Sequence, residues 1–253
     1  MRKHCIAIGG GGGWMMGENP SPLDQYILSL SGKENPNICF LPTATGDADE
    51  VIERFYNAKL SENVTHFPLF KFDAGWKETL FEQDIIYVGG GNTRSMLAIW
   101  REWGIDRILK QCYEQGIIIC GMSAGAICWF EFAVTDSDPE AYQVMRCLGL
   151  IDGLAAAHFS HVGEKFEVFQ AFARSQPSIT CYGIHDYAAL HFVDGKLLAT
   201  VTSFPDALAC KTYQIIQLKL KQIKNYTFSY TCFFSGLSVI PRLGKSTQAH
   251  KKS

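Results

Sequence analysis

The chain has 253 residues, 47% apolar and 19% charged, enough material for one large α/β core and incompatible with global disorder. A net charge of −2 gives no electrostatic footprint for nucleic acid, and no run is long and apolar enough for a membrane span. The balance is uneven: eight of the 23 basic residues and none of the 25 acidic ones lie after residue 206, which leaves 15 basic against 25 acidic residues before it.

Taken in chain order, short apolar runs alternate with helical patterns. "CIAIG" (5–9) reads as a buried strand and opens into "GGGGG" (9–13). "ICFLPT" (38–43) reads as a second strand. Val51, Ile52, Phe55, Tyr56 and Leu60 then fall at helical spacing, with Asp47 and Asp49 as cap candidates. "VTHFPL" (64–69) and "DIIYV" (84–88) read as strands, the latter opening into "GGGNT" (89–93). Met96, Leu97, Trp100 and Trp103 form one helical stripe and read as core. Ile105, Ile108, Leu109, Cys112 and Tyr113 form another, closed by Gly116. "IIIC" (117–120) leads into "GMSAGA". "GLAAAHFSHVGE" (153–164) reads as a loop before a helix. Past residue 176, "ITCYGI", "ALHFV", "LLATV" and "ALACKTYQIIQL" read as the last part of the sheet plus antiparallel strands. Strand–helix alternation with continuously apolar strands predicts a mainly parallel sheet between helical layers. The charge shift predicts a domain over 1–218 and a basic, solvated extension over 219–253, whose aromatic stretch 226–234 could add strands at a sheet edge.

The nine cysteines are scattered and lack C-x-x-C, which predicts reduced thiols used as small hydrophobes in a cytoplasmic protein, without disulfides or a structural metal. "MRKHCIAIGG" has too few apolar residues for a signal peptide.

Chemistry in an open parallel sheet sits at the carboxyl ends of its strands, where three loops should meet. "GGGGG" fails G-x-G-x-x-G in every register and has no G-K-[ST], so it reads as a turn with close backbone approach. "G-M-S-A-G" (121–125) matches G-x-S-x-G, in which small neighbours permit a strained turn that raises Ser123. A packed strand–helix junction is the bland alternative. A serine nucleophile needs a base and an orienting group. His158, His161 and His185 are candidates for the base, and Asp186 follows His185. His4, His66, His191 and His250 read as structural. Glu131 and Asp136 read as solvated loop charges.

"IYVGGGNTRSML", then "GMSAGA", "AHFS" and "GIHDYAALHF", with "AIGGGG" and "CFLPTATGD" upstream, resemble the peptidase E family of aspartyl dipeptidase-like serine peptidases, relatives of cyanophycinase. The likeness spans roughly residues 4 to 218. It implies a class I glutamine amidotransferase-like fold: a three-layer α/β sandwich with a mainly parallel central sheet and antiparallel strands toward the C-terminus. It also implies a triad of Ser123, His158 and, at a position where the family more often has Glu, Asp186. The oxyanion hole maps to backbone N–H groups of Gly90 or Gly91 and of Ala124. Gly11 and Asn92 become candidates for substrate contact, although Asn92 equally reads as a helix N-cap. The implied activity is hydrolysis of small peptides, aspartyl-X dipeptides among them, by a monomer or homodimer without cofactor, nucleic acid or membrane. Where the family carries arginines after "GE", this chain has "KFEVFQAF", a departure that leaves the aspartyl preference without its cations. The alternative is a catalytically silent scaffold that binds a small ligand.

Overall fold

The computed structural model describes residues 2–16, 21–69, 71, 74–203, 207, 209–212 and 237–239. Its first half is the anticipated alternation. β1 (His4–Ile8) is followed by α1 (Pro22–Leu30), β2 (Ile38–Leu41), α2 (Asp49–Asn57), β3 (Val64–His66), α3 (Trp76–Phe81) and β4 (Ile85–Val88). Next come α4 (Thr93–Trp103) and α5 (Ile105–Glu114), joined at Gly104, whose φ of 70° ends one helix and starts the other. β5 (Ile118–Met122) and the short α6 (Ala124–Ile127) close this half.

β1, β5, β4, β2 and β3 run parallel in that spatial order, so their carboxyl ends share one edge. β1, β2, β4 and β5 are buried on both faces, which is why they read as unbroken apolar runs. Alternate residues serve opposite cores. Ala7, Val88 and Ile119 pack with Trp100 of α4 and Leu109 of α5. Ile8, Tyr87 and Cys120 pack with Leu23 of α1 and Phe55 of α2. The sheet is thus sandwiched between helices, as the sequence predicts.

The second half keeps the strands expected toward the C-terminus, antiparallel ones among them, and adds a second sheet. β6 (Phe130–Thr135), β7 (Gln143–Arg146), β8 (Ile151–Ala156), α7 (Glu164–Ser175) and β9 (Cys181–Ile184) precede β10 (Ala188–Val193), β11 (Lys196–Thr202), β12 (Ala209–Thr212) and β13 (Leu237–Val239). β10 and β11 extend the first sheet beside β1, antiparallel. The others form a second sheet, ordered β13-β12-β9-β8-β6-β7, with a parallel centre of β6, β8 and β9. β8 lies in the alanine-rich stretch that the sequence presents as loop. Its small side chains are weak strand formers, yet Leu154 and Ala156 are fully buried under Phe159 and Phe169 of α7. The chain crosses from the first sheet to the second through residues 123–129 and returns through residues 185–187.

Two smaller expectations also change. Ala48, not Asp47 or Asp49, occupies the N-cap of α2 and makes no side-chain bond there. Asp47 has a φ of 58° and its carboxylate accepts the Leu69 N–H, a non-local contact that no local pattern reveals. Trp100 is fully buried and donates to Thr43, whereas Trp103 is 56% exposed at the last turn of α4. Of the basic extension only Leu237–Val239 is described, paired with β12; 226–234 and the boundary at 218 lie outside the described residues. Of the eight described cysteines, seven are buried and Cys147 is half-buried. No described helix is long and apolar enough to cross a membrane, and no described His, Cys, Asp and Glu residues cluster as metal ligands.

Ser21 and Asp24 form a capping box at α1, where Ser21 Oγ donates to the Asp24 carboxylate at 2.8 Å. Asp24 is only 1% exposed, and burial pushes its carboxyl up to about 6 from 3.8, against the opposing bonds from Ser21 and the Trp14 backbone. A folded-state value above the unfolded one favours the protonated form. The stability it contributes is therefore present at acid pH and lost as pH rises through about 6. The full swing is about 3 kcal/mol, of which about 2 kcal/mol falls between pH 4 and 7.5. Urea unfolding at those two pH values should show Asp24→Asn gaining stability relative to wild type by about that amount on going to pH 7.5. An unchanged difference would refute the buried, titrating carboxyl.

Candidate active site

Ser123 is the residue between β5 and α6. Its φ of 55° and ψ of −115° place it in a strained, left-handed turn that a non-glycine residue rarely adopts. The flanking glycines explain how the turn is tolerated. A Cβ on Gly125 would collide with the Val88 carbonyl, and one on Gly121 with the Gly125 carbonyl. The G-x-S-x-G spacing thus lets the turn press directly against the end of β4.

His158 lies two residues beyond β8, and Asp186 lies two residues beyond β9. The His158 Nδ1–H donates to Asp186 Oδ1 at 2.6 Å, both side chains being about half exposed. An ionised carboxylate only accepts, so this bond places the proton on Nδ1 and leaves Nε2 as a free acceptor. His158 itself has a φ of 46°.

These segments are tied to one place, the exit of β1. Ser123 N–H donates to the Ile8 carbonyl at 3.0 Å, His158 N–H to that of Gly9 at 3.0 Å, and Tyr187 N–H to that of Gly10 at 2.6 Å. Gly9 N–H returns a bond to Ala188 at 2.9 Å. The absence of side chains on the glycines is essential here. A Cβ on Gly9 would strike the Ile184 and His185 carbonyls, and one on Gly10 would strike the His158 ring and the Asp186 carboxylate.

His161 and His185 occupy a different environment. Their rings lie 5.3 Å apart and both pack edge-on against Phe159, in the layer beneath the His158 loop. Burial lowers both; for His185, burial and the neighbouring His161 outweigh Asp186 and bring it down to about 4, so its imidazole is neutral. His4 and His191 bond each other at 2.9 Å, His191 also bonds Tyr26, and His66 bonds Tyr56, all within the fold.

The other predicted positions are placed as follows. Gly90 stands beside the Ser123 turn: a Cβ on it would lie 3.2 Å from Ser123 Cβ and 3.8 Å from Oγ. Gly91, with a φ of 138°, is pressed on the Ala44 carbonyl, which also accepts the Asn92 N–H. Ala124 begins α6, where an N–H has no intrahelical acceptor. Asn92 caps α4 by accepting from Ser95 N–H, and its Nδ2 donates to the Ser137 carbonyl. Both ends of that amide serve the fold. Gly11, with a φ of 60°, packs against the Tyr187 ring. Arg94 pairs with Asp138 at 3.5 Å.

Two features escape sequence inspection. One is the carbonyl row of Ile8, Gly9 and Gly10, hinted at only by a glycine run that permits close approach. The other is Lys165 in the first turn of α7, whose Nζ donates to the carbonyls of Ala157 at 2.9 Å and His158 at 3.4 Å.

The model of peptidase family S51 matches residues 6–200 of this chain. The uncharacterized peptidase YgaJ of Bacillus subtilis (strain 168) is 42% identical over 217 residues, covering 85% of this chain and 92% of that protein. Among solved structures, a peptidase from an acI-B1 actinobacterium superposes with a TM-score of 0.60 at 17% identity, over 83% of this chain and 90% of its own. A putative peptidase E protein from Listeria monocytogenes EGD-e gives 0.55 at 18% identity, over 79% and 98%. These two likenesses concern the fold.

Gly10→Ala tests the local geometry without replacing a titratable residue. The added methyl must displace His158 and Asp186. Imidazole ¹⁵N shifts should therefore show His158 locked as the Nδ1–H tautomer in wild type and released to a mixture in the variant. The same tautomer balance in both proteins would exclude the packing described.

Proposed function

The chain belongs to peptidase family S51, and from that premise we propose that it is a serine peptidase in which Ser123, His158 and Asp186 form the catalytic triad. The observation that carries this reading is the 2.6 Å bond between His158 and Asp186, made where His158 and Tyr187, the residue after Asp186, are tied to the β1 exit that also receives Ser123. Ser123 Oγ attacks the carbonyl carbon of a small peptide while His158 Nε2 takes its proton. Asp186 holds the tautomer and stabilises the imidazolium. The backbone at Gly90 or Gly91 and the N–H of Ala124 receive the charge that develops on the carbonyl oxygen. The C–N bond breaks as the imidazolium protonates the leaving amine. Water, deprotonated by the same His158, then releases the acyl group and restores the serine.

The substrate class carried forward is short peptides, dipeptides included. Arg94 is paired with Asp138 and Lys165 is engaged by the carbonyls of the His158 loop, so neither supports a special preference for aspartyl peptides. The scattered, mostly buried cysteines suit a reducing cytoplasm.

Treatment with a fluorophosphonate, followed by mass mapping and a dipeptide screen, tests the mechanism. The adduct should form on Ser123 and vanish in Ser123→Ala and His158→Ala. Asp186→Asn should slow acylation by about 10³- to 10⁴-fold, because the amide favours the wrong tautomer. Peptide turnover that survives Ser123→Ala would sink the proposal. A folded wild type that binds peptides yet resists labelling would point to a silent scaffold instead.

A further inference from the structure

Lys165 stands outside the triad, yet it touches the backbone of the proposed base. The ammonium donates to the carbonyls of Ala157 and His158, the two residues where the chain leaves β8 and turns left-handed. The other side of the same turn is held by the bond from His158 N–H to Gly9 and by Phe159 N–H on Ile184 at 3.0 Å. The loop is thus pinned by two amides on one side and one cation on the other. Lys165 is itself held in place. Its Nζ lies over the Tyr142 ring, 5.3 Å from the centroid, and the adjacent Glu164 accepts the Tyr142 N–H at 3.2 Å.

We propose that Lys165 is a positioning residue for His158: by clamping the Ala157 and His158 carbonyls it keeps the left-handed turn in the form that pairs the imidazole with Asp186. This rests on His158 being the base. A non-glycine residue in that backbone region persists only when its surroundings over-determine it, and the clamp supplies part of that constraint. The cation also adds a charge to the set around the base. Lys165 faces Asp186 from the β9–β10 link and Asp136 from just past β6, while burial lowers His161 in the same loop and holds His185, beside Asp186, neutral. Removing a positive charge near a titratable base favours that base's protonated form.

The test is the second-order rate of fluorophosphonate labelling against pH, with melting temperature, for the full chain and for Lys165→Met and Lys165→Arg. The Met variant should label more slowly by roughly 10- to 100-fold, as expected for a misplaced catalytic group. The acidic limb of its profile should move to higher pH. The Arg variant keeps donor and charge, and should restore both rate and midpoint. If the Met variant fails to fold, Lys165→Gln, which keeps a donor without the charge, should show the same shift in midpoint. Wild-type rate and midpoint in the Met or Gln variant would overturn the inference. So would slow labelling with an unmoved midpoint that arginine does not rescue, since that pattern belongs to a structural lysine. Adduct formation away from Ser123 in wild type is a separate failure, that of the triad reading itself.

Discussion

Everything at the carboxyl edge depends on three successive carbonyls at the end of the first strand. Ile8, Gly9 and Gly10 accept amides from Ser123, His158 and Tyr187, three segments that come from β5, β8 and β9. Each such bond is worth only about 1 kcal/mol net, but leaving a buried partner unmade costs about 1–3 kcal/mol. The row therefore acts as a set of registration marks. A shift of one residue in any of the three segments would strand an amide and carry a functional side chain away. Gly9 and Gly10 are required because the approaching backbone and rings occupy the space of a side chain.

The two-sheet arrangement explains why the site lies where it does. The helix-covered parallel sheet raises Ser123 at the end of β5, and the second sheet delivers His158 and Asp186 from the ends of β8 and β9. One shared core, from Ala7 and Val88 through Phe130 and Tyr182 to Phe192, fixes the sheets against each other. Ser123 and the His158–Asp186 pair are thus carried by separate sheets that share one core. The His158 and Asp186 side chains remain about half exposed while the backbone around them is tethered beneath.

Much of this is legible in the sequence, and the illegible parts have identifiable causes. Strands buried on both faces announce themselves as apolar runs, so the order of β1, β2, β4 and β5 and the meeting of their three glycine-containing loops can be read directly. G-x-S-x-G encodes a local steric need, so the strained turn at Ser123 is readable too. β8 is not, because alanines and a glycine lack strand propensity and the strand owes its form to burial beneath Phe159 and Phe169. The choice among His158, His161 and His185 rests on which ring faces the carboxylate and which faces Phe159, a matter of backbone direction at positive φ that sequence proximity misrepresents. His185 adjoins Asp186 in the chain, yet it packs on the other side.

Strain and tethering coincide in this protein. Among the described residues, six non-glycine residues have positive φ: Asp47, Lys59, Ser123, His158, Tyr187 and Asp194. Three of them surround the proposed site, and these three are the residues whose amides reach Ile8, Gly9 and Gly10. A left-handed residue costs about 1–2 kcal/mol, close to what its tether returns. The turns are therefore near balance locally and are held by what lies around them: the glycine contacts behind Ser123, the Lys165 clamp behind His158, and the Ser203 N–H that donates to the Tyr187 carbonyl at 2.9 Å. A residue outside the triad that relaxes one of these supports should change the chemistry before it changes the stability of the fold.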